Sequence, residues 1–319
     1  MRVEIINFFK KSESYVSGEE LAQKLGLTRQ ALWKHIQELK SLGYEILAVP
    51  HLGYRLEAVP DRLYSWEVKE DLSTEFIGKK FFYYEKVDST MDIAWELAKK
   101  GLPEGSLVCA EYQTQGRGRL RRKWVSPRFK GIYFSLILRP EISPFKIGLI
   151  SLLSAVGLVN GIKRELELPL SIKWPNDILI EDKKVAGILT ELDAEKDRVN
   201  FVIVGCGLNI NTSKRELPEN ATSLYLLAGR KIERVRIFRY ILQELEKIYL
   251  TFKRRGEGTI IDNWRRLSYL CGKRVKVIFP DKESIEARVL DIDSDGALLV
   301  RNSEGIITRV LAGDIEKLS

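Results

Sequence analysis

The sequence predicts an α+β protein with a helical N-terminal unit and a small all-β C-terminal unit. Three observations carry this. Residues 1–60 show helical apolar spacing followed by a hairpin pattern. From Phe81 to residue 255, strand-length apolar runs mix with long helical runs. After residue 270 only short strands remain, separated by Asp295-Gly296 and Glu304-Gly305 turns.

The first unit opens with Ile5, Ile6, Phe8 and Phe9, the apolar face of an amphipathic helix. Ser17-Gly18-Glu19-Glu20 reads as a capping box, with Ser17 as N-cap and Glu20 three residues on. Leu21 and Leu25 supply that helix's buried face and Gly26 marks its end. Thr28 caps a third helix whose Leu32, Ile36 and Leu39 recur at i, i+4 and i+7, leaving Arg29, Gln30, Trp33, Lys34 and Gln37 outward. Gly43 ends it, and Tyr44–Val49 with Tyr54–Ala58 form a hairpin through Pro50, His51, Leu52 and Gly53. Two helices joined by a tight turn and followed by a hairpin make a winged helix-turn-helix. Its outward Arg-Gln-Trp-Lys-Gln face can meet phosphates and base edges, so Ser17, Thr28, Arg29, Gln30, Trp33, Lys34 and Gln37 are the candidate DNA-binding residues. A protein-docking module fits the same pattern. Residues 1–62 hold nine Lys/Arg against eight Asp/Glu, so charge placement and not bulk charge would have to carry DNA binding. One winged helix buries little DNA surface, which calls for a dimer on paired half-sites.

Val59–Ser65, with Pro60 and Asp61, reads as a linker. Strands are expected at 81–87, 106–113, 132–139, 171–180, 185–192 and 200–210, with helices near 91–100, 146–166 and 233–255. A hairpin around Ile180-Glu181-Asp182-Lys183-Lys184 argues for one mixed sheet instead of strict βαβ alternation. Strands at Arg274–Phe279, Ile285–Ile292, Leu298–Arg301 and Ile306–Leu311 suggest a small β-barrel. The expected domains are residues 1–62, 63–269 and 270–319.

Composition narrows the chemistry. With 45% hydrophobic and 30% charged residues the chain suits a globular protein. No run of about 18 apolar residues is evident, so no membrane span is expected. The N-terminus lacks a secretory pattern. Cys109, Cys206 and Cys271 form no CxxC pair, which with an odd count suggests a reducing cytoplasm. The only two histidines are His35 and His51. Beyond residue 51 there can be no Ser-His-Asp triad and no His-bearing zinc site. Chemistry there must rest on Lys, Arg, carboxylates and backbone amides, with room for a hard metal ion. The net charge of +8 points weakly to anionic partners.

Two segments concentrate that chemistry. Gly116-Arg117-Gly118-Arg119-Leu120-Arg121-Arg122-Lys123-Trp124 packs two glycines and five cations into nine residues. The glycines allow close backbone approach and positive φ, and the arginines offer bidentate anion binding. It is neither a Walker A loop nor a dinucleotide fingerprint, because Arg121 stands where the third glycine belongs. A basic RNA-binding or merely solvated loop has the same composition. Lys173-Trp174-Pro175-Asn176-Asp177 interrupts a strand pattern with proline. Lys173 could stabilise charge on a phosphate or acyl oxygen, and Asp177 could bring in Mg²⁺; a structural Lys–Asp pair is the simpler alternative. Ser89 and Thr90, at a strand-to-helix junction, are first of all N-cap residues, and their hydroxyls could also bond a polar ligand.

Together these segments resemble the biotin–protein ligases, in the bifunctional form that is also the biotin operon repressor. The matching elements run in order: Asp88-Ser89-Thr90, Glu111-Tyr112-Gln113, Gly116-Arg117-Gly118-Arg119, Lys123-Trp124, Lys173-Trp174-Pro175-Asn176-Asp177, Lys184-Val185-Ala186-Gly187-Ile188-Leu189, Gly207-Leu208-Asn209-Ile210-Asn211 and Ala221-Thr222-Ser223-Leu224. Each is modest alone; the ordered set is specific and spans almost the whole chain. The resemblance implies a central ligase domain, a C-terminal SH3-like barrel and a two-step reaction. Biotin and ATP give biotinyl-5′-AMP, and biotin then passes to a lysine of the biotin carboxyl carrier protein, a subunit of acetyl-CoA carboxylase. No tightly bound cofactor is implied beyond the substrates and Mg²⁺. It further implies operator binding, as a homodimer when biotinyl-AMP is bound, and no membrane association.

Carried onto this chain, the resemblance assigns catalysis to Lys173, Arg117 and Arg119. Biotin falls to Ser89, Thr90, Met91, Gln113, Arg117, Gly118, Arg119, Trp124, Lys173, Gly187 and Ile188, with Leu189 walling the ring and Gly205 giving room. The nucleotide falls to Arg119, Arg121, Arg122, Trp124, Asn176, Lys184 and Asn209, and the metal to Asp177. Two departures stand out. Leu120 and Arg121 replace the family loop's usual Arg-Gly, which stiffens the loop, and Met91 stands where Asn is frequent. The alternatives are a ligand-sensing winged-helix regulator without ligation, and a lipoate-type ligase.

Overall fold

The computed structural model describes residues 1–12 and 14–318. The chain forms two compact units, Met1–Arg62 and Leu63–Ser319.

In the first unit, α1 (Arg2–Lys10), α2 (Gly18–Lys24) and α3 (Arg29–Ser41) precede an antiparallel hairpin of β1 (Glu45–Val49) and β2 (Gly53–Ala58). Ile5, Ile6, Phe9, Leu21, Leu32, Ile36 and Leu39 make the core, as their spacing predicts, while Leu25 is only half-buried. Thr28 caps α3 through its side chain, accepting from Ala31 N at 3.1 Å. The Ser17 capping box does not form. Val16 is drawn into a bridge with Tyr54, the Ser17 side chain makes no cap bond, and Glu20 turns to Lys24 Nζ at 2.7 Å.

The second unit runs α4 (Ser65–Lys69), β3 (Phe81–Tyr84), α5 (Thr90–Lys99), β4 (Leu107–Ala110), β5 (Gly131–Leu138), α6 (Ile147–Lys163), β6 (Ser171–Lys173), β7 (Asp177–Ile180), β8 (Lys183–Glu195) and β9 (Arg198–Asn209). There follow α7 (Leu224–Ala228), α8 (Arg234–Arg255), α9 (Gly258–Leu267), β10 (Arg274–Ile278), β11 (Ser284–Ile292), β12 (Leu298–Arg301), β13 (Ile307–Val310) and β14 (Asp314–Lys317). A seven-stranded mixed sheet in the order β3-β4-β5-β9-β8-β7-β6 is parallel only between β3 and β4. The α5 helix covers one face with Met91, Ala94 and Ala98 against Val108, Ile137 and Ile203. The α6 and α8 helices belong to the larger core on the other face. Gly157 and Gly161 let α6 lie directly on α8, since an added Cβ would come within 2.7 Å of Leu245 and 2.5 Å of Ile241.

Several expectations need correction. The single strand expected over 171–180 is a hairpin of β6 and β7, turning at Trp174-Pro175-Asn176, because proline cannot donate to the ladder. Helices α4 and α7, at five residues each, are too short to show a period, and α9 and β14 were also not expected. One stretch, Pro144–Lys163, is long and apolar enough to cross a membrane by length and composition, but 72% of its apolar window is buried inside the protein, as befits a core helix. Strands between Arg274 and Lys317 form their own antiparallel sheet in the order β13-β12-β11-β10-β14, within the second unit. Among the described residues no β13–β14 pairing closes it into a full barrel.

Candidate active site

A cavity of about 360 Å³ opens where α5, the Gly116–Trp124 loop, the β6–β7 turn, β8, β9 and β14 converge. Its polar end is built at the start of α5. Ser89 caps the helix, its Oγ accepting Met91 N–H at 3.2 Å. Gln113 Oε1 accepts both Thr90 N–H at 2.9 Å and Thr90 Oγ1–H at 3.1 Å, while its Nε2 donates to Ser126 Oγ at 3.2 Å. Behind Thr90, the buried Ser135 donates to Thr90 Oγ1 at 2.8 Å. Hydroxyls and an amide thus share one hydrogen-bonded row, in which Ser89 is the N-cap and Thr90, the first residue of the helix, is not.

The floor is flat because β8 and β9 carry glycines there. An added Cβ at Gly207 would stand 2.4 Å from the Trp124 ring, and one at Gly205 would stand 2.3 Å from Met91 Sδ. The room at Gly205 is therefore taken by Met91, and Trp124 lies across Gly207. Leu189 adds an apolar wall on this face, whereas Phe134 and Ile188, though they border the cavity, place their side chains in the core on the opposite face of the sheet. The Trp124 indole N–H is buried over Gly207 and has no partner among the described residues.

The rim is cationic. Gly116–Trp124 forms a small hairpin with Trp124 N bonded to Gly116 O at 2.8 Å and Gly118 N to Arg122 O at 2.7 Å. Positive φ falls not on its glycines but on Leu120 (54°) and Arg121 (55°), because the turn lies two residues beyond Gly118. Arg117 reaches Asp92 at 2.7 Å, Ser89 at 3.2 Å and Glu191 at 3.2 Å. Burial works against its charge, but the bond to Asp92 and the field of Glu191 hold its pKa above the ordinary arginine value. Arg119 donates to Gly313 O at 3.3 Å, and burial pulls its pKa down against the pull of Asp314 and Asp177. Arg122 pairs with Asp314.

The Lys173–Asp177 pair considered from sequence does not form. Asp177 Oδ1 lies 2.6 Å from Lys184 Nζ, and among the described residues no carboxylate engages Lys173. Both Lys173 and Asp177 line the cavity. Among the described residues no group of three His, Cys, Asp or Glu side chains could hold a metal.

Nearly all the expected ligand residues converge here: Ser89, Thr90, Met91, Gln113, Arg117, Gly118, Arg119, Arg122, Trp124, Lys173, Asn176, Asp177, Lys184, Gly187 and Ile188. Two do not line the cavity. Asn209 is buried and its amide donates to Thr222 O at 3.1 Å, a structural role; Arg121 points to solvent. Asn176 spends its amide on Ile188 O at 2.6 Å while still lining the cavity. Sequence reasoning missed Ser135, Asp92, Glu191, Asn220 and the wall Asp314-Ile315-Glu316. Only Ser135 left a signal, as the one serine in the apolar run of β5.

Residues 83–209 match the Biotin/lipoate A/B protein ligase family, residues 2–55 an HTH domain, and residues 270–318 the Biotin protein ligase C terminal domain. The chain is 40% identical to Bifunctional ligase/repressor BirA of Bacillus subtilis over 321 aligned positions, covering 99% of this chain and 98% of that one. To the Escherichia coli protein of the same description it is 31% identical, over 94% of this chain and 92% of that one. Among solved structures, the biotin protein ligase from Aquifex aeolicus in complex with biotin and ATP aligns with a TM-score of 0.64 at 29% identity, covering 75% of this chain and 99% of that one. By identity sustained along its length, the chain belongs to the bifunctional ligase/repressor family of biotin–protein ligases.

Proposed function

We propose that the cavity joins biotin and ATP into biotinyl-5′-AMP and pyrophosphate, then hands biotin to a lysine of the biotin carboxyl carrier protein. The observation that carries this reading is the gradient within one cavity: a hydroxyl–amide row at one end, an indole and glycine floor in the middle, and a cationic rim. A cyclic urea needs donors to its oxygen and acceptors for its N–H groups, which Ser89 and Thr90 supply. Trp124 and Leu189 receive the apolar ring and chain. A biotin carboxylate oxygen then attacks the α-phosphorus as pyrophosphate leaves. Arg119 and Lys173 stabilise the charge that develops. In the second step the carrier lysine attacks the anhydride carbonyl and AMP leaves. No side chain of this protein becomes covalently attached. Because Asp177 is already paired with Lys184, we assign Mg²⁺ to the nucleotide, brought in on its phosphates.

Incorporation of labelled biotin into an acceptor domain tests the reading, with lipoate as competitor. The expected result is ATP-dependent labelling that lipoate does not suppress. A chain that binds biotin but releases no pyrophosphate would instead be a sensor without ligase activity.

Repression completes the reading. We propose that the face of α3 bearing Gln30, Trp33, Lys34 and Gln37, all exposed, meets operator DNA. Thr28 is committed to its cap and Arg29 to Glu19, which leaves Trp33 and Lys34 as the principal contacts. The double variant Trp33→Ala, Lys34→Ala should lose about tenfold or more in operator affinity, in a mobility-shift assay at fixed salt, with ligation unchanged. Equal affinity would assign this face to a protein partner.

We propose that dimerisation on biotinyl-AMP binding uses β8. Strand β7 pairs with it only over Lys183–Gly187, so its later half has β9 on one side alone and offers an edge to a second copy. Native mass should double with biotin plus ATP and not without them. A monomer in both states would refute the edge-pairing proposal.

A further inference from the structure

Ser89 has its acceptor capacity filled. Its Oγ takes one N–H from Met91 and one from Arg117 Nη1, both at 3.2 Å. A hydroxyl oxygen has two lone pairs and one proton, so what remains to Ser89 is to donate. Whether it stays in that state depends on Arg117, whose guanidinium could otherwise swing to solvent or to a phosphate.

Two carboxylates prevent that swing. Asp92, one turn along α5, takes the second Nη1 hydrogen at 2.7 Å. Glu191, 74 residues further along the chain than Arg117, receives Nε and Nη2 side-on at 3.2 to 3.3 Å. Together they engage all three guanidinium nitrogens, and Ser89 shares Nη1 with Asp92. Charge-assisted, two-point contacts of this kind fix orientation as well as position. Neither acid lines the cavity.

We propose that Glu191, with Asp92, is a positioning residue for recognition of the ligand's ring carbonyl: it holds Arg117 against Ser89 and so commits the Ser89 hydroxyl to donating. This rests on the reading that the cavity takes a cyclic urea. The consequence is a specificity device. A ring carbonyl is an acceptor and is favoured; a ring bearing N–H at that position presents donor to donor and is rejected.

The probe is 2-iminobiotin, whose protonated ring carries N–H in place of the carbonyl oxygen. Steady-state ligation is compared for biotin and 2-iminobiotin in wild type, Glu191→Gln, Glu191→Ala and Asp92→Asn, with melting curves as folding controls. Both acids are partly exposed, so the variants should fold. In Glu191→Ala the KM for biotin should rise about tenfold, the worth of a hydrogen bond to a charged group, with kcat and the KM for ATP within about twofold. Preference for biotin over 2-iminobiotin should fall by a similar factor. Glu191→Gln, which keeps an acceptor but not the charge, should fall between. An unchanged preference, or losses shared equally by biotin, 2-iminobiotin and ATP, would overturn the proposal. Wild type that does not use biotin at all would instead refute the reading on which it rests.

Discussion

Replacing Lys173 with alanine is expected to lower biotin transfer by about 10²-fold or more, with the folded structure intact. Most other cations at the rim are spoken for. Arg117 is held by Asp92 and Glu191, Lys184 by Asp177 and Arg122 by Asp314. Lys173 sits half-buried at the end of β6 with no carboxylate among the described residues to neutralise it. A charge that is positioned and unspent can act when negative charge grows on the phosphate and again on the acyl oxygen. Removal of one such preorganised group costs on the order of 10²- to 10³-fold in other systems. Single-turnover measurement of pyrophosphate release, followed by transfer from preformed biotinyl-AMP, separates the two steps. Near-normal rates in both would take Lys173 out of the mechanism.

Gly207→Val should abolish most ligand affinity without touching any charged group. A Cβ there would stand 2.4 Å from Trp124 Cε2, and the position lies within β9, between β5 and β8, where the backbone cannot retreat. The indole must move, and the floor of the cavity moves with it. Overpacking of this kind costs about 1–3 kcal/mol, or roughly ten- to a hundredfold in affinity. Calorimetric titration with biotin and a non-hydrolysable nucleotide reads it directly. Adding Trp124→Ala to Gly207→Val should cost less than the two single effects combined, because the clash is then gone. Wild-type affinity in Gly207→Val would show that the indole does not form the floor.

The parts of this site visible in the sequence were those written as local patterns. The glycine–arginine run and Lys173-Trp174-Pro175-Asn176-Asp177 each place several chemical groups within a few residues, so composition alone exposed them. The winged helix was legible for the same reason, since apolar spacing within α3 fixes which face is outward. Partners brought from afar were not legible. Glu191 meets Arg117 across 74 residues, and Asp314 meets Arg122 across 192. Nothing in their immediate neighbours marks them, because only the sheet order and the docking of β14 bring them in. Asn209 shows the converse: a motif match placed it at the nucleotide, but a buried amide must first satisfy its own hydrogen bonds, and Thr222 O does so. The loop glycines were read as the positions for positive φ, yet the left-handed turn falls on Leu120 and Arg121, where side chains strain it.

Gly205 and Gly207 also set a direction for redesign. A position that already has no side chain cannot be trimmed, so substitutions along this part of β9 can only shrink the compartment. Enlarging it for bulkier vitamin analogues must come from Met91 and Leu189, which share that face of the sheet. Drift at the two glycines therefore narrows what the protein accepts, whereas drift at those two side chains can widen it.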